Sequence, residues 1–331
     1  MTKRERVIAA INFQKTDYIP SEVSFTTPAY EKVLAKMGPD YFATLNSHID
    51  SVELAKPQFE IAPGYTQDEY GVVWNKTGAD KDIGVIDNYL FTDWDSYNAY
   101  AMPPVDEAFI RRTCENVIAL PYDTFKGAHI GFSLFERLWT MMGMENALMN
   151  MLLEPELIHR ILSDICSRNL AIVDIALEYD LDFIYFGDDW GQQQGLIMGL
   201  PHWREFIKPY LTKMYAKVRS RGKYVVQHSC GDNRQIMDDL AEIGLNVYQT
   251  FQPEIYGLSY SEKIRGKIAI WGGISTQQDL TKTPEEVRQI TRATIDHFKD
   301  HGGLIIAPTH CIPGDIPADN IVAMFEVILN Q

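Results

Sequence analysis

The tripeptide His228-Ser229-Cys230 brings together the two side chains best suited to a soft divalent cation. Residues two apart on an extended chain point to the same side, so an imidazole and a thiolate at this spacing can meet one ion. Sulfur combined with imidazole selects zinc among the common ions. A third ligand has to come from elsewhere, and Thr309-His310-Cys311 supplies two candidates. Cys230 and Cys311 are 311 − 230 = 81 residues apart, which excludes a zinc finger and suits a site assembled from several strands. Three protein ligands with an open fourth position would make such a zinc catalytic rather than structural. Cys311 and His310 are both open as that ligand. One histidine and two thiolates would leave the zinc site neutral, whereas two histidines and one thiolate would leave it positive and more Lewis acidic.

Other polar residues cluster in similar positions. Asp188-Asp189 can serve acid/base or substrate-orienting work, and can equally cap a helix. Glu22 is a candidate catalytic carboxylate or a fourth metal ligand that substrate displaces. Trp190, Phe132 and Gln249 are candidate substrate-binding residues, and Gln192, Gln193 and Gln194 offer neutral amides. Met141, Met142, Met144, Met149 and Met151 read as core packing, not as a cofactor box. Cys114 and Cys166 sit in helical patterns and read as buried structural thiols.

The elements that must position these residues alternate regularly. Strand-like runs at 17–25, 127–132, 182–187, 223–228, 246–250, 267–273 and 303–308 are separated by amphipathic helical stretches. Continuous apolar strands between helices imply a parallel sheet covered on both faces. Roughly eight such units in 331 residues favour a single (β/α)8 barrel domain over residues 1–331. Residues 38–125 read as a long irregular insertion within the first βα unit, with a hairpin arm near Glu69–Trp74. Thr283-Pro284-Glu285-Glu286 has the form of a capping box and starts a helix. No GxGxxG follows a strand, so no dinucleotide fingerprint is present. In a parallel barrel the active site lies past the carboxyl ends of the strands, where the His, Cys and Asp residues above all fall.

Composition narrows the function classes. The formal charge is −15, from 45 acidic and 30 basic residues, which disfavours nucleic acid and anionic membranes as partners. The first residues, MTKRERVIAAINF, read as a charged amphipathic helix and not a signal peptide, and no run suits a membrane span. Four widely spaced cysteines suit a reducing compartment, so a cytoplasmic location is expected.

The segments Arg4–Phe13, Asp17–Pro20, Gly187-Asp188-Asp189, Pro201–Phe206, His228–Gly231, Gly272–Ser275 and Pro317–Ile321 together resemble the uroporphyrinogen decarboxylase-like superfamily. Within it, the His-x-Cys element is similar to that of the cobamide-dependent methyltransferases. The resemblance implies a (β/α)8 barrel, zinc on His228, Cys230 and a distant third ligand, and a corrinoid carried by a separate partner protein. Counted back from Pro317 the family's ligand falls on His310, and by residue type on Cys311, which is preferred, with His310 as the alternative. It further implies methyl transfer between a small molecule and cobalt, as in the methyltransferase component of an O-demethylase. The aromatic and amide residues at the strand ends favour a methoxylated, preferably aromatic, donor. The alternatives are a methylcobamide-to-thiol methyltransferase and a decarboxylase of the uroporphyrinogen type. The latter needs an arginine-rich segment near the first strand, and Ser21–Thr27 contains none.

Overall fold

The computed structural model describes residues 1–78 and 84–331. Its centre is a curled, seven-stranded, wholly parallel sheet. The strands are β1 (Ile49–Glu53), β2 (Phe125–Ile130), β3 (Phe183–Gly187), β4 (Tyr224–His228), β5 (Val247–Phe251), β6 (Ala269–Ile274) and β7 (Leu304–Pro308). Each pairs with the next in chain order, so the sheet is wound in one direction. Helices cover its outer face, as buried strands such as β6 and β7 require, since every residue of both is buried.

The concave side has its own core. Ile49, Phe125, Phe183, Val226, Val247, Trp271 and Ile305 form one apolar cluster, with Val7 and Ile11 of the helix Lys3–Ile11 packed into it. That helix is fixed by a reciprocal cap between Thr2 and Glu5. The expected cap at Thr283 and Glu286 forms likewise and starts the helix Pro284–Phe298.

Two expectations about the first third change. The run 17–25 is not a regular strand. It makes isolated parallel bridges, Ser21 to Ile306 and Phe25 to Ile312. On its other side Ser21 O accepts the His48 N–H at 3.0 Å, just before β1. Residues 20–26 therefore touch both edges of the curled sheet. Pro20 brings no N–H and cannot extend a ladder, which limits this segment to single bridges.

The span 38–125 is also not one irregular insertion. It contains β1 and the helix Glu107–Ile118, which packs against β1. What stands apart from the main sheet is a small antiparallel sheet of Phe59–Ala62, Tyr65–Gln67, Val73–Asn75 and Val85–Ile86. The expected hairpin arm belongs to it, with Val73–Asn75 paired to Tyr65–Gln67. The arm is anchored by Asp68, whose carboxylate takes Arg137 Nη1 at 2.7 Å with both side chains buried. Arg137 also lies over the Tyr70 ring at 4.0 Å. Its partner is thus the arm, not the neighbouring Glu136 or Asp188. Among the described residues, no helix is long and apolar enough to cross a membrane.

Candidate metal centre

A cavity of about 310 Å³ opens at the carboxyl ends of the strands. Every strand of the main sheet contributes to its wall: Ser51, His129, Tyr185, His228, Gln249, Trp271 and Pro308, from β1 to β7 in order. His310 and Cys311 follow β7, and Glu22 and Ser24 come from the extended segment between the sheet edges. This is the place at which a parallel barrel builds its chemistry.

At its edge, three atoms able to ligate a metal converge, two of them from the wall. Cys230 Sγ lies 3.4 Å from His228 Nε2 and 3.3 Å from His310 Nε2. All three atoms lie within 4.8 Å of one another. Zinc–sulfur and zinc–nitrogen bonds at a tetrahedral angle would place such a pair about 3.6 Å apart. The donor set and its spacing therefore fit a zinc ion. Burial and the neighbouring His228 push His310 down to about 4, so its imidazole is neutral and its lone pair available at neutral pH. Burial, with the Asp189 carboxylate beside it, pushes the Cys230 thiol far up.

The third member differs from the preferred expectation. His310, the alternative, meets Cys230, whereas the Cys311 thiol is exposed and donates to Ser24 Oγ at 3.2 Å. In the bend at 309–311 both side chains border the cavity, but only the His310 ring turns to Cys230. The Thr309 side of this segment is pinned to the end of β6, with Thr309 N–H on Ile274 O at 2.9 Å and Thr276 N–H on Thr309 Oγ1 at 3.1 Å.

Surrounding groups orient the ligands. His228 Nδ1–H donates to Gln249 Oε1, which also accepts Tyr185 O–H at 2.9 Å. That bond fixes the tautomer and leaves the Nε2 lone pair facing Cys230. Gln249, expected to contact substrate, thus acts on a histidine as well as lining the wall. The loop holding Cys230 is bonded at nearly every backbone group. Cys230 N–H donates to Asp189 Oδ1 at 2.7 Å, and Gly231 N–H to Gln252 Oε1 at 2.8 Å. The carbonyls of Ser229, Cys230 and Gly231 accept Tyr248 O–H at 2.6 Å, Asn233 Nδ2 at 2.9 Å and Tyr256 O–H at 2.8 Å. Sequence reasoning did not single out Asn233 or Tyr256, because a buried amide or phenol carries no motif.

The loop also needs glycine on both sides of a close approach. A Cβ on Gly191 would lie 2.5 Å from the Cys230 carbonyl oxygen. One on Gly231 would lie 2.3 Å from the Gly191 carbonyl carbon. Gly231 also has φ +80°, in the region that favours glycine.

The other candidates divide. Asp189 Oδ1 is 3.4 Å from His228 Nε2, at the edge of the triad. Asp188 is fully buried and accepts the N–H groups of Leu134, Phe135 and Glu136 at 3.3, 3.0 and 2.8 Å, and Trp190 Nε1 at 2.6 Å. It caps the helix Phe135–Met142, the other reading open to it, and has no free lone pair aimed at the cavity. Trp190 is equally buried, with its ring against Trp203 at 5.6 Å, so it does not line the cavity. Phe132 packs on Trp74 of the antiparallel arm at 5.6 Å instead. Gln192, Gln193 and Gln194 lie on an exposed hairpin. Glu22 does reach the cavity, where Trp271 Nε1 donates to its Oε2 at 3.3 Å and burial pushes its carboxyl up to about 7.

Cys114 and Cys166 are buried in helices remote from the triad. Met141, Met142 and Met151 are core, while Met149 is exposed.

The comparisons with known proteins come from three directions. The family model described as uroporphyrinogen decarboxylase (URO-D) matches residues 128–330. The uroporphyrinogen decarboxylase of Paraburkholderia phytofirmans is 25% identical over 185 residues, 53% of this chain and 47% of that protein. The match thus spans about half the length of that relative. A methyltransferase from Methanosarcina mazei has a similar structure, with TM-score 0.68 and 15% identity over 99% of this chain and 98% of that one. A putative vitamin-B12 independent methionine synthase from Listeria monocytogenes follows at TM-score 0.50 and 11% identity, over 95% and 96%. At such identities the likeness is one of fold. The family model covers more than half of the chain, strands β3 to β7 and both halves of the ligand triad included, and the chain belongs to the uroporphyrinogen decarboxylase (URO-D) family.

Proposed function

We propose that this protein is a zinc-dependent methyltransferase. It would move a methyl group from a small methylated donor, preferably a methoxylated aromatic compound, to the cobalt of a corrinoid held by a partner protein. The observation that carries this reading is the convergence of His228 Nε2 and His310 Nε2, both from the cavity wall, on Cys230 Sγ beside it. Three protein ligands leave a fourth position for the donor's heteroatom. When bound, zinc supplies a Lewis acid that polarises the bond between that heteroatom and its methyl carbon. Two neutral imidazoles and one thiolate make the set less neutralising than a His and two thiolates would be.

The chain's own residues supply the rest. Gln249 and Asp189 hold His228 and the Cys230 backbone in place. Tyr185 and Trp271, whose ring centroids are 6.2 Å apart at 73°, offer flat apolar walls to an aromatic donor. Glu22, with its carboxyl pushed up to about 7, donates a proton to the departing oxygen. The residues lining the cavity include no arginine or lysine. That disfavours a polycarboxylate substrate, and with it the decarboxylase reading suggested by the Paraburkholderia relative. It equally disfavours a sulfonated thiol acceptor. The cytoplasm is the expected compartment for the corrinoid partner.

The test uses purified protein, a methoxylated aromatic donor and cob(I)alamin, with methylcobalamin followed by absorbance. Methylation that requires zinc and is lost in His228→Ala and Cys230→Ser supports the reading. Metal-free protein that decarboxylates a porphyrinogen without a corrinoid would overturn it.

A further inference from the structure

A second group of atoms able to ligate a metal converges at the opposite end of the strands, where β6 and β7 begin. Glu262 lies in the short helix Ser261–Ile264 that precedes β6. His297 is in the last turn of the helix Pro284–Phe298, and His301 follows one turn later, before Gly302-Gly303 lead into β7. Glu262 Oε1 is 3.4 Å from His297 Nε2 and 4.0 Å from His301 Nε2. One ligand atom from each of the three lies within 4.8 Å of the others. We propose that Glu262, His297 and His301 form a second, exchangeable zinc site, with Arg265 as the internal cation that zinc displaces.

Three observations carry this. The His297 and His301 rings stand together, with centroids 6.0 Å apart at 87°. His301 Nδ1–H donates to Gly302 O at 3.0 Å, so the lone pair of this ring is on Nε2, the atom facing Glu262. Tetrahedral zinc separates a nitrogen and an oxygen ligand by about 3.4 Å, which the His297–Glu262 pair already matches. The group is also drawn onto a cation now. Arg265 Nη2 donates to Glu262 Oε1 and lies 2.8 Å from His301 Nε2. Both members of this ion pair are substantially exposed, at 40% and 43% of the side chain. Such a pair is weak, and a long arginine can swing into solvent. Zinc, which binds imidazole more strongly than a guanidinium hydrogen bond does, would take its place. Ser261 Oγ, 3.0 Å from His297 Nε2, would release that ring on binding. The bound ion would tie the entrances of β6 and β7 together. The first of those strands carries Trp271, and the second leads to His310.

Titration of the chelator-stripped, full-length chain with zinc alone, followed by calorimetry, tests the proposal. A binding event that is deleted by His297→Ala and by His301→Ala, and tightened by Arg265→Ala, is expected. Glu262→Gln should weaken it by about tenfold or more. The same event should survive in His228→Ala/Cys230→Ser protein, which separates it from the cavity site. No event in that double variant, or one indifferent to both His297→Ala and His301→Ala, would overturn the proposal. Circular dichroism of each variant checks that the fold is intact.

Discussion

Cys230 Sγ lies 3.3 Å from His310 Nε2, whereas Cys311, one residue further along, turns its thiol to Ser24 Oγ at 3.2 Å. The two neighbours therefore predict opposite outcomes. His310→Ala should strip the cavity zinc, with loss of affinity beyond the 10–100-fold typical of an outer-shell change. Cys311→Ser should retain it. Elemental analysis after gel filtration, expected to find about one tightly held zinc in the parent chain, checks both. Zinc retained by His310→Ala and lost by Cys311→Ser would reverse the assignment.

Gln249 tests whether orientation matters as much as ligation. Its Oε1 is the acceptor for His228 Nδ1–H, and it lines the wall without being a metal ligand itself. Gln249→Leu keeps the volume and removes the acceptor. Zinc affinity should fall by about 10–100-fold, measured by competition with a chromophoric chelator, and stability by about 1–3 kcal/mol, because the same oxygen takes the Tyr185 O–H. Unchanged affinity would show that packing alone fixes the ring.

Gly191 and Gly231 make a steric prediction about the same loop. A methyl on Gly191 meets the Cys230 carbonyl oxygen at 2.5 Å, a contact with backbone that cannot rotate away. Gly191→Ala should cost about 1–3 kcal/mol in stability and displace Cys230 enough to impair zinc binding. Denaturant unfolding and the chelator competition measure the two effects separately. Normal values in both would mean that the loop yields freely.

Much of this site was legible in the sequence because it sits on regular periodicity. His228 and Cys230 follow an apolar strand, and the strand-to-helix alternation from residue 125 onward announces where strand ends lie. The first third was less readable. In β1, Ile49-Asp50-Ser51-Val52-Glu53, the polar side chains point into the cavity or onto neighbours, so the apolar run that marks the other strands is missing. Asp188 looked catalytic by position, yet its oxygens face the start of a helix, a relation that depends on a residue 54 positions earlier. The choice between His310 and Cys311 turned on which of two adjacent side chains turns to Cys230, and the bend at 309–311 that decides it has no sequence pattern. Asn233 and Tyr256 hold the ligand loop through its carbonyls, a role that any buried polar side chain could have filled.

Asp68 and Arg137 form a buried ion pair that fastens the antiparallel arm to the helix Phe135–Met142. Asp68 also accepts the backbone N–H groups of Tyr70 and Val72, each at 3.0 Å. Removing the acid leaves a buried guanidinium without its counter-charge. Asp68→Ala should therefore destabilise the protein by about 3–5 kcal/mol, read from urea unfolding. Asp68→Ala with Arg137→Met should recover part of that loss, because the orphaned charge is gone. A double variant no more stable than the single one would assign the cost to the lost turn contacts instead.

His48 sets a pH limit on the join between the two sheet edges. It is buried at 1% exposure, accepts Arg6 Nη1 on Nε2 at 3.2 Å, and donates from Nδ1 to Ser21 O at 3.2 Å. Burial, followed by the Arg6 charge, pushes it down to about 4 from an ordinary 6.5. The folded chain therefore keeps this ring neutral, while the unfolded chain protonates it below about 6.5. Between those values the unfolded state binds more protons, so stability falls as pH drops from 6.5 to 4, and the loss levels off below. The difference amounts to roughly 3 kcal/mol for this one group. Gln at this position can accept from Arg6 and donate to Ser21 without titrating. His48→Gln should therefore flatten the acid side of the stability curve, seen in urea midpoints taken from pH 7.5 to 4.5. Parallel curves for the two proteins would mean that His48 takes up its proton without breaking the contact to Arg6.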